Sequence, residues 1–135
     1  MIHNNHYFIM FVISVLAGAL STMSVWVDKL DDVRFSLNDA YMILLMTGWM
    51  ILFMGIYYTH FGPGLFGLAL VIISLWAIRT QAFITTHQYV TGMIPHHSMA
   101  VHMSKRLREK GTPLRKFADE IITTQEKEIA FMKQL

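Results

Sequence analysis

Met93-Ile94-Pro95-His96-His97-Ser98-Met99 concentrates the chemistry of this chain: two adjacent imidazoles and two thioethers beside a proline, within seven residues. Imidazole and thioether suit a soft or borderline metal ion, and with no cysteine in the chain they are its softest donors. Copper(I) or silver(I) is the first candidate, and zinc, which takes imidazole, the alternative. At about 100° per residue, Tyr89, Met93, His96, His97, Ala100 and Met103 share about a third of a helix circumference, with His102 on the far side. On a second helix Ala118, Ile121, Ile122, Gln125, Glu128, Ile129 and Met132 cluster on one face. Antiparallel packing of these faces predicts a site in which His96, His97, Met93 and Met103 are ligands. Gln125, Glu128 and Met132 contribute to it, the amide or carboxylate orienting a histidine.

The alternative is a metal-free polar network. Methionine at helical spacing is ordinary core filler, and buried histidine, glutamine and glutamate must pair with something to be tolerated. An acid–base enzyme pairing His96 or His97 with Glu128 lacks a nucleophile or cofactor motif, so no catalytic residue is assigned.

The elements that must position these residues are helical. Gly111-Thr112-Pro113 reads as a stop and restart, with Gly past one helix end and Thr and Pro opening the next. One helix thus ends near Lys110 and a last one covers Leu114 to Gln134. Pro95 lacks the N–H that would reach the Thr91 carbonyl, which predicts a kink. No strong breaker separates Arg79 from Gly92, so the segment before the motif is expected to run on as a stalk from an apolar helix.

What precedes the motif is apolar enough for a membrane. The chain is 54% hydrophobic, with a mean hydropathy of +0.43. Tyr7 to Trp26 is twenty residues without a formal charge, Tyr41 to Tyr58 a second run, and Leu65 to Ile78 a shorter third. Crossing a hydrocarbon core of about 30 Å takes about twenty residues, so the third must extend past Trp76 and Arg79 or borrow from the His60–Gly64 turn. These readings give residues 1–84 as a three-span anchor (about 7–26, 41–58 and 63–84) and 85–135 as a helical hairpin facing cytosol or periplasm. Two basic residues, Lys29 and Arg34, in the loop from Val27 to Ala40 favour the cytosol.

Of eleven Lys and Arg, eight lie between Lys105 and Lys133. Around the hairpin turn they alternate with Glu109, Asp119 and Glu120, which describes a solvated rim and not a nucleic-acid surface. Met42, Met46, Met50 and Met54 recur every four residues along the second span, pointing toward His60. Each step drifts by about 40°, so the stripe winds around its helix and reads as packing or lipid-facing methionine more than as a path for a soft cation. His3, His6 and His60 could gather at that end, though solvated tail residues are the plainer reading.

The motif Met93-Ile94-Pro95-His96-His97, followed by Ala118-Asp119-Glu120-Ile121-Ile122, Gln125, Glu128-Ile129 and Met132, resembles the domain-of-unknown-function 305 family. Ser74-Leu75-Trp76 with Arg79 and Gln81 looks like its three-span membrane branch. The resemblance implies a ferritin-like or four-helix arrangement and, for some soluble members, periplasmic copper or silver binding through Met and His. It thereby implies a bacterial inner membrane with the hairpin outward, against the loop charges. The segment Thr85-Thr86-His87-Gln88 lacks an acidic residue common there, which His87 would replace. The expected fold is all-α: three transmembrane helices plus a C-terminal hairpin that completes a four-helix bundle by oligomerisation. A lone hairpin encloses little core, so a homodimer or higher homo-oligomer is expected beside the lipid bilayer and a metal ion.

Overall fold

A computed structural model describes residues 2–135, with side chains from His6 onward. The described chain is all-α, with five α-helices and no strand: α1 Ile2–Ala19, α2 Leu37–Tyr57, α3 Phe61–Thr80, α4 Thr86–Glu109 and α5 Arg115–Met132. Single 3₁₀ turns at Met23–Trp26 and Leu30–Asp32 lie between α1 and α2. Two compact units result. One joins the chain up to Thr22 with Leu37–Ile84, and the other joins Met23–Ser36 with Thr85–Leu135.

The described chain holds three segments long and apolar enough to cross a membrane: His6–Trp26, Leu37–Tyr57 and Phe61–Thr80, of 21, 21 and 20 residues. At about 1.5 Å per residue each matches a bilayer core. They are apolar all round, and Phe8, Ile13, Leu16, Phe53, Ile72 and Ile73 stay exposed. Where helices meet, small residues let backbones close in. A Cβ at Gly67 of α3 would lie 2.4 Å from the Leu52 nitrogen and 2.8 Å from the Gly48 carbonyl oxygen of α2. One at Gly55 would lie 2.6 Å from Gly64.

Two expectations about α3 need correction. Gly62-Pro63-Gly64, read as a turn, forms its first helical turn, because the missing Pro63 N–H falls among the donors a helix start leaves free anyway. Nor does α3 run on as a stalk: it ends at Thr80, with Gln81 left-handed (φ 51°) and its N–H on the Ala77 and Ile78 carbonyls. The break is held from outside the segment. Tyr41 Oη donates to the Ala82 carbonyl at 2.6 Å, and Asn38 and Gln81 exchange amide hydrogen bonds at 3.2 and 3.3 Å. Thr85 then caps α4, its Oγ1 accepting from the Gln88 N–H. Partners forty residues away in sequence leave no local breaker to read.

In the second unit, Gly111 (φ 72°) turns the chain as expected, and the Thr112 hydroxyl accepts from the Leu114 N–H at 3.1 Å. α4 runs unbroken through a buried Pro95. Its core with α5 is Ile94, Val101, Ile122 and Ile129, with Val90 and Met132 packed against it. Met23–Ser36, assigned to the anchor in the sequence reading, packs in this unit against α4.

Gly67→Ala is expected to destabilise the spanning unit by about 1–3 kcal/mol, since backbone atoms cannot yield to the new methyl. Gly62→Ala, with open space around its Cβ, should melt like wild type. Thermal unfolding of detergent-solubilised protein compares the two, and equal melting would refute the close approach.

Candidate functional site

Which face of α4 turns inward decides the site. Ile94, Pro95, Ser98, Val101 and Ser104 are buried, whereas Tyr89, His96 and Met103 are exposed, Met103 by 55%. The face expected inward is therefore rotated toward the edge of the hairpin. The reason is that α4 is covered twice. Ile94 and Val101 serve the core with α5, and Ser98 serves the 23–36 segment on another side. On α5 the expected face holds better: Ala118, Ile122 and Ile129 are buried, Ile121, Gln125 and Met132 partly so, and Glu128 is exposed.

His97 stands at the margin of the core. Its side chain is 13% exposed, and Nδ1 lies 3.0 Å from Glu128 Oε2, whose side chain is 47% exposed. The approach is close in distance without being an aligned hydrogen bond. The His96 ring, outside, is centred 5.8 Å from that of His97. Burial pushes the His97 pKa below its ordinary 6.5, while the Glu128 carboxylate pulls it up and His96 pushes it down. The imidazole is consequently neutral near pH 7, the form that coordinates metals. A proton on Nδ1, the nitrogen beside the carboxylate, would leave the lone pair on Nε2.

Of the predicted residues, the structure brings His97 and Glu128 together. Met93 precedes His97 by one turn and Met132 follows Glu128 by one turn, so antiparallel register sets the two partly buried thioethers level with each other. Met132 packs on the core. Gln125 is partly buried, while His96 and Met103 face out. Among the described residues no group of three or more His, Cys, Asp or Glu could hold a metal ion. One neutral imidazole with two thioethers does suit a soft monovalent ion, which accepts few ligands.

A second polar cluster escaped the sequence reading. Ser98 Oγ, fully buried, accepts the Asp28 N–H at 2.9 Å and donates to Asp32 Oδ2 at 2.6 Å. Lys133 Nζ lies 2.6 Å from Asp32 Oδ1 and also pairs with Asp31. Lys105 bridges Asp28 at 2.7 Å and Glu126 at 3.0 Å. Both lysine pKa values rise through the hydrogen bonds to these carboxylates, and Lys133 lowers that of Asp31. Lys105, expected on a solvated rim, is instead part of this clamp. The available signal was charge: Asp28, Asp31 and Asp32 in a loop opposite a lysine-rich hairpin. Arg106–Glu109 and Arg108–Asp119, at 3.0 and 3.1 Å, are the exposed pairs expected near the turn.

Fold and site define a chain of three apolar helices and a histidine-bearing helical hairpin. A family model described as "Domain of unknown function (DUF305)" matches residues 74–135. "Uncharacterized protein L153" of Acanthamoeba polyphaga mimivirus is 43% identical over 143 residues, spanning 98% of this chain and 92% of that protein. The chain belongs to the DUF305 family. The viral likeness runs through the apolar helices as well, beyond the matched domain. No solved structure matches the chain.

Ser98→Ala strands the Asp28 N–H and half of the buried Asp32 carboxylate. It should cost about 1–3 kcal/mol of stability in chemical or thermal unfolding; a neutral result would show that the segment is not held there. For His97, the unfolded chain takes a proton near 6.5 and the folded chain resists it. Above that pH both are neutral and stability is unaffected. As pH falls through 6.5 the unfolded state gains the proton first, so the hairpin loses stability until folded His97 also protonates. Histidine NMR with chelator present should place His97 below 6.5, and lower still in Glu128→Gln. A midpoint at or above 6.5 would contradict the burial argument.

Proposed function

We propose that this protein is anchored in a lipid bilayer by α1–α3 and binds copper(I) or silver(I) in the hairpin, serving metal tolerance or homeostasis at that membrane. The observation that carries the reading is the half-buried His97, kept neutral by its burial and 3.0 Å from Glu128, in register with Met93 and Met132. His97 Nε2 and the two thioethers would hold the ion, and Glu128 would fix the imidazole as an outer partner does at other metal sites. When bound, the ion supplies a soft, low-coordinate centre that thioether and imidazole satisfy without charge.

A second copy of the chain completes this site. Exposed Tyr89, His96 and Met103 on α4 recur every seven residues, with Leu107 one turn on, and exposed Leu114, Phe117, Phe131 and Leu135 lie on or beside α5. Such apolar stripes left outside a two-helix hairpin favour closure as a homodimeric four-helix bundle. That pairing turns His96 and Met103, outward in one chain, toward the partner. An inner-membrane location with the hairpin outward rests on resemblance to copper-handling bacterial members.

One observation favours a second reading. With no group of three conventional ligands in the described chain, the His97–Glu128 pair also suits a pairing module with a metal-free polar network. Elemental analysis of detergent-purified protein after Cu(I), Ag(I) or Zn(II) exposure separates the two, with His96→Ala/His97→Ala as control. The metal reading expects stoichiometric Cu(I) or Ag(I), weakened at least tenfold in the double variant. Wild type that stays metal-free, with His97→Ala lowering dimer stability, would replace it with the second reading.

A further inference from the structure

Away from the hairpin, the contact between α1 and α2 is built from two facing rows at i, i+4 spacing. Met10, Ser14 and Gly18 lie on α1; Met46, Met50 and Met54 lie on α2. A Cβ at Gly18 would come within 2.9 Å of Met46 Cε, so this methionine packs on α1. One turn and more further along, Tyr7, Met10, Ser14, Met50, Ile51 and Met54 line a single narrow crevice with no room for a water molecule. The drift of the methionine row around α2 is thereby explained, because rows at i±4 are ridges that a neighbouring helix can follow. Met42, at the other end of the row, lines no part of this cavity and is mostly exposed.

Two features set the cavity apart from plain packing. Three uncharged, polarisable methionine side chains line it, a donor set that selects soft monovalent cations. Into it also faces the Ser14 hydroxyl, 3% exposed and without a hydrogen-bond partner. A buried hydroxyl left unpaired is costly in apolar surroundings, and ordinary helix packing would place alanine there. Tyr7, at the cavity edge, is already engaged: its hydroxyl lies 2.8 Å from His60 Nδ1. That contact leaves Ser14 as the oxygen donor facing the thioethers. His6 is exposed beside Tyr7, and His3, grouped with His60 in the sequence reading, lies outside the described side chains.

We propose that Met10, Met50 and Met54, with Ser14, form a soft-metal site inside the spanning unit that takes Cu(I) or Ag(I). It is separate from the hairpin site and does not depend on it. Thioethers need no deprotonation to coordinate, so an ion can be held within an apolar bundle without introducing buried anions. The cation must enter without its water, and the room available excludes a hydrated ion.

The test uses full-length protein in lipid nanodiscs carrying His96→Ala/His97→Ala, which silences the hairpin. Cu(I) is titrated against a chromophoric Cu(I) chelator, with X-ray absorption reading the ligands. The expected result is one Cu(I) per chain in a sulfur-dominated shell. Uptake should fall at least tenfold in a Met10→Leu/Met50→Leu/Met54→Leu background, with melting unchanged. Wild-type hairpin binding should survive those leucines, which separates failure of this site from failure of the hairpin. Should the triple variant not fold, methyl NMR of otherwise native protein decides: Ag(I) should shift the Met10, Met50 and Met54 ε-methyl signals and leave Met42 in place. No uptake in the histidine variant, undiminished uptake in the leucine variant, or equal shifts at Met42 would each overturn the proposal.

Discussion

The Ser98 hydroxyl, with no exposure to solvent, joins the Asp28 N–H to the Asp32 carboxylate, and much of the second unit follows from that bridge. A carboxylate this buried is tolerated only with partners, which Ser98 and Lys133 supply. Once the 23–36 segment is held against one side of α4, the apolar residues Ile94 and Val101 are left to meet α5. The His96–His97 pair is then carried to the margin, where one ring lies against Glu128 and the other faces out. Rotational phase, more than residue type, thus determines that one ring of this pair is half-buried and neutral while the other is exposed.

The two units solve opposite solvent problems. In the hairpin, water rewards an apolar seam with charged residues outside it, and the lysine–carboxylate bridges gather at its edges. In the unit of membrane-length helices every face is apolar, so the pattern of greasy surface cannot choose the pairing. Backbone proximity does so instead: Gly48, Gly55, Gly64 and Gly67 let α2 and α3 approach until no Cβ fits between Gly67 and Leu52. Between α1 and α2 flexible methionines fill the gap, and they bring their sulfurs with them. Polarisable donors consequently occur in both units, in the hairpin beside imidazole and in the spans beside a lone hydroxyl.

The apolar spans could be read with little context, since length and lack of charge are local properties. Their limits moved where distant residues intervened: α3 stops at Thr80 because Asn38 and Tyr41 on α2 bind the chain beyond it. The turn at Gly111 was legible because a left-handed residue there needs no tertiary help. The approach of His97 to Glu128 was foreseeable from helical spacing, and so was the packing of Met132 on the core. The inward placement of His96 and Met103 was not, because a helical wheel weights residue type and knows nothing of a second partner covering α4.

By itself, the order of residues determined the helices, the three membrane-length segments, the hairpin turn and the family motif, all of which rest on local propensity and short-range pattern. Tertiary structure alone decided which α4 side chains face inward, that Met23–Ser36 joins the hairpin, and that methionines from two helices enclose one cavity with Ser14. Those outcomes depend on contacts between residues tens of positions apart, where small differences in packing select one rotation of a helix over another.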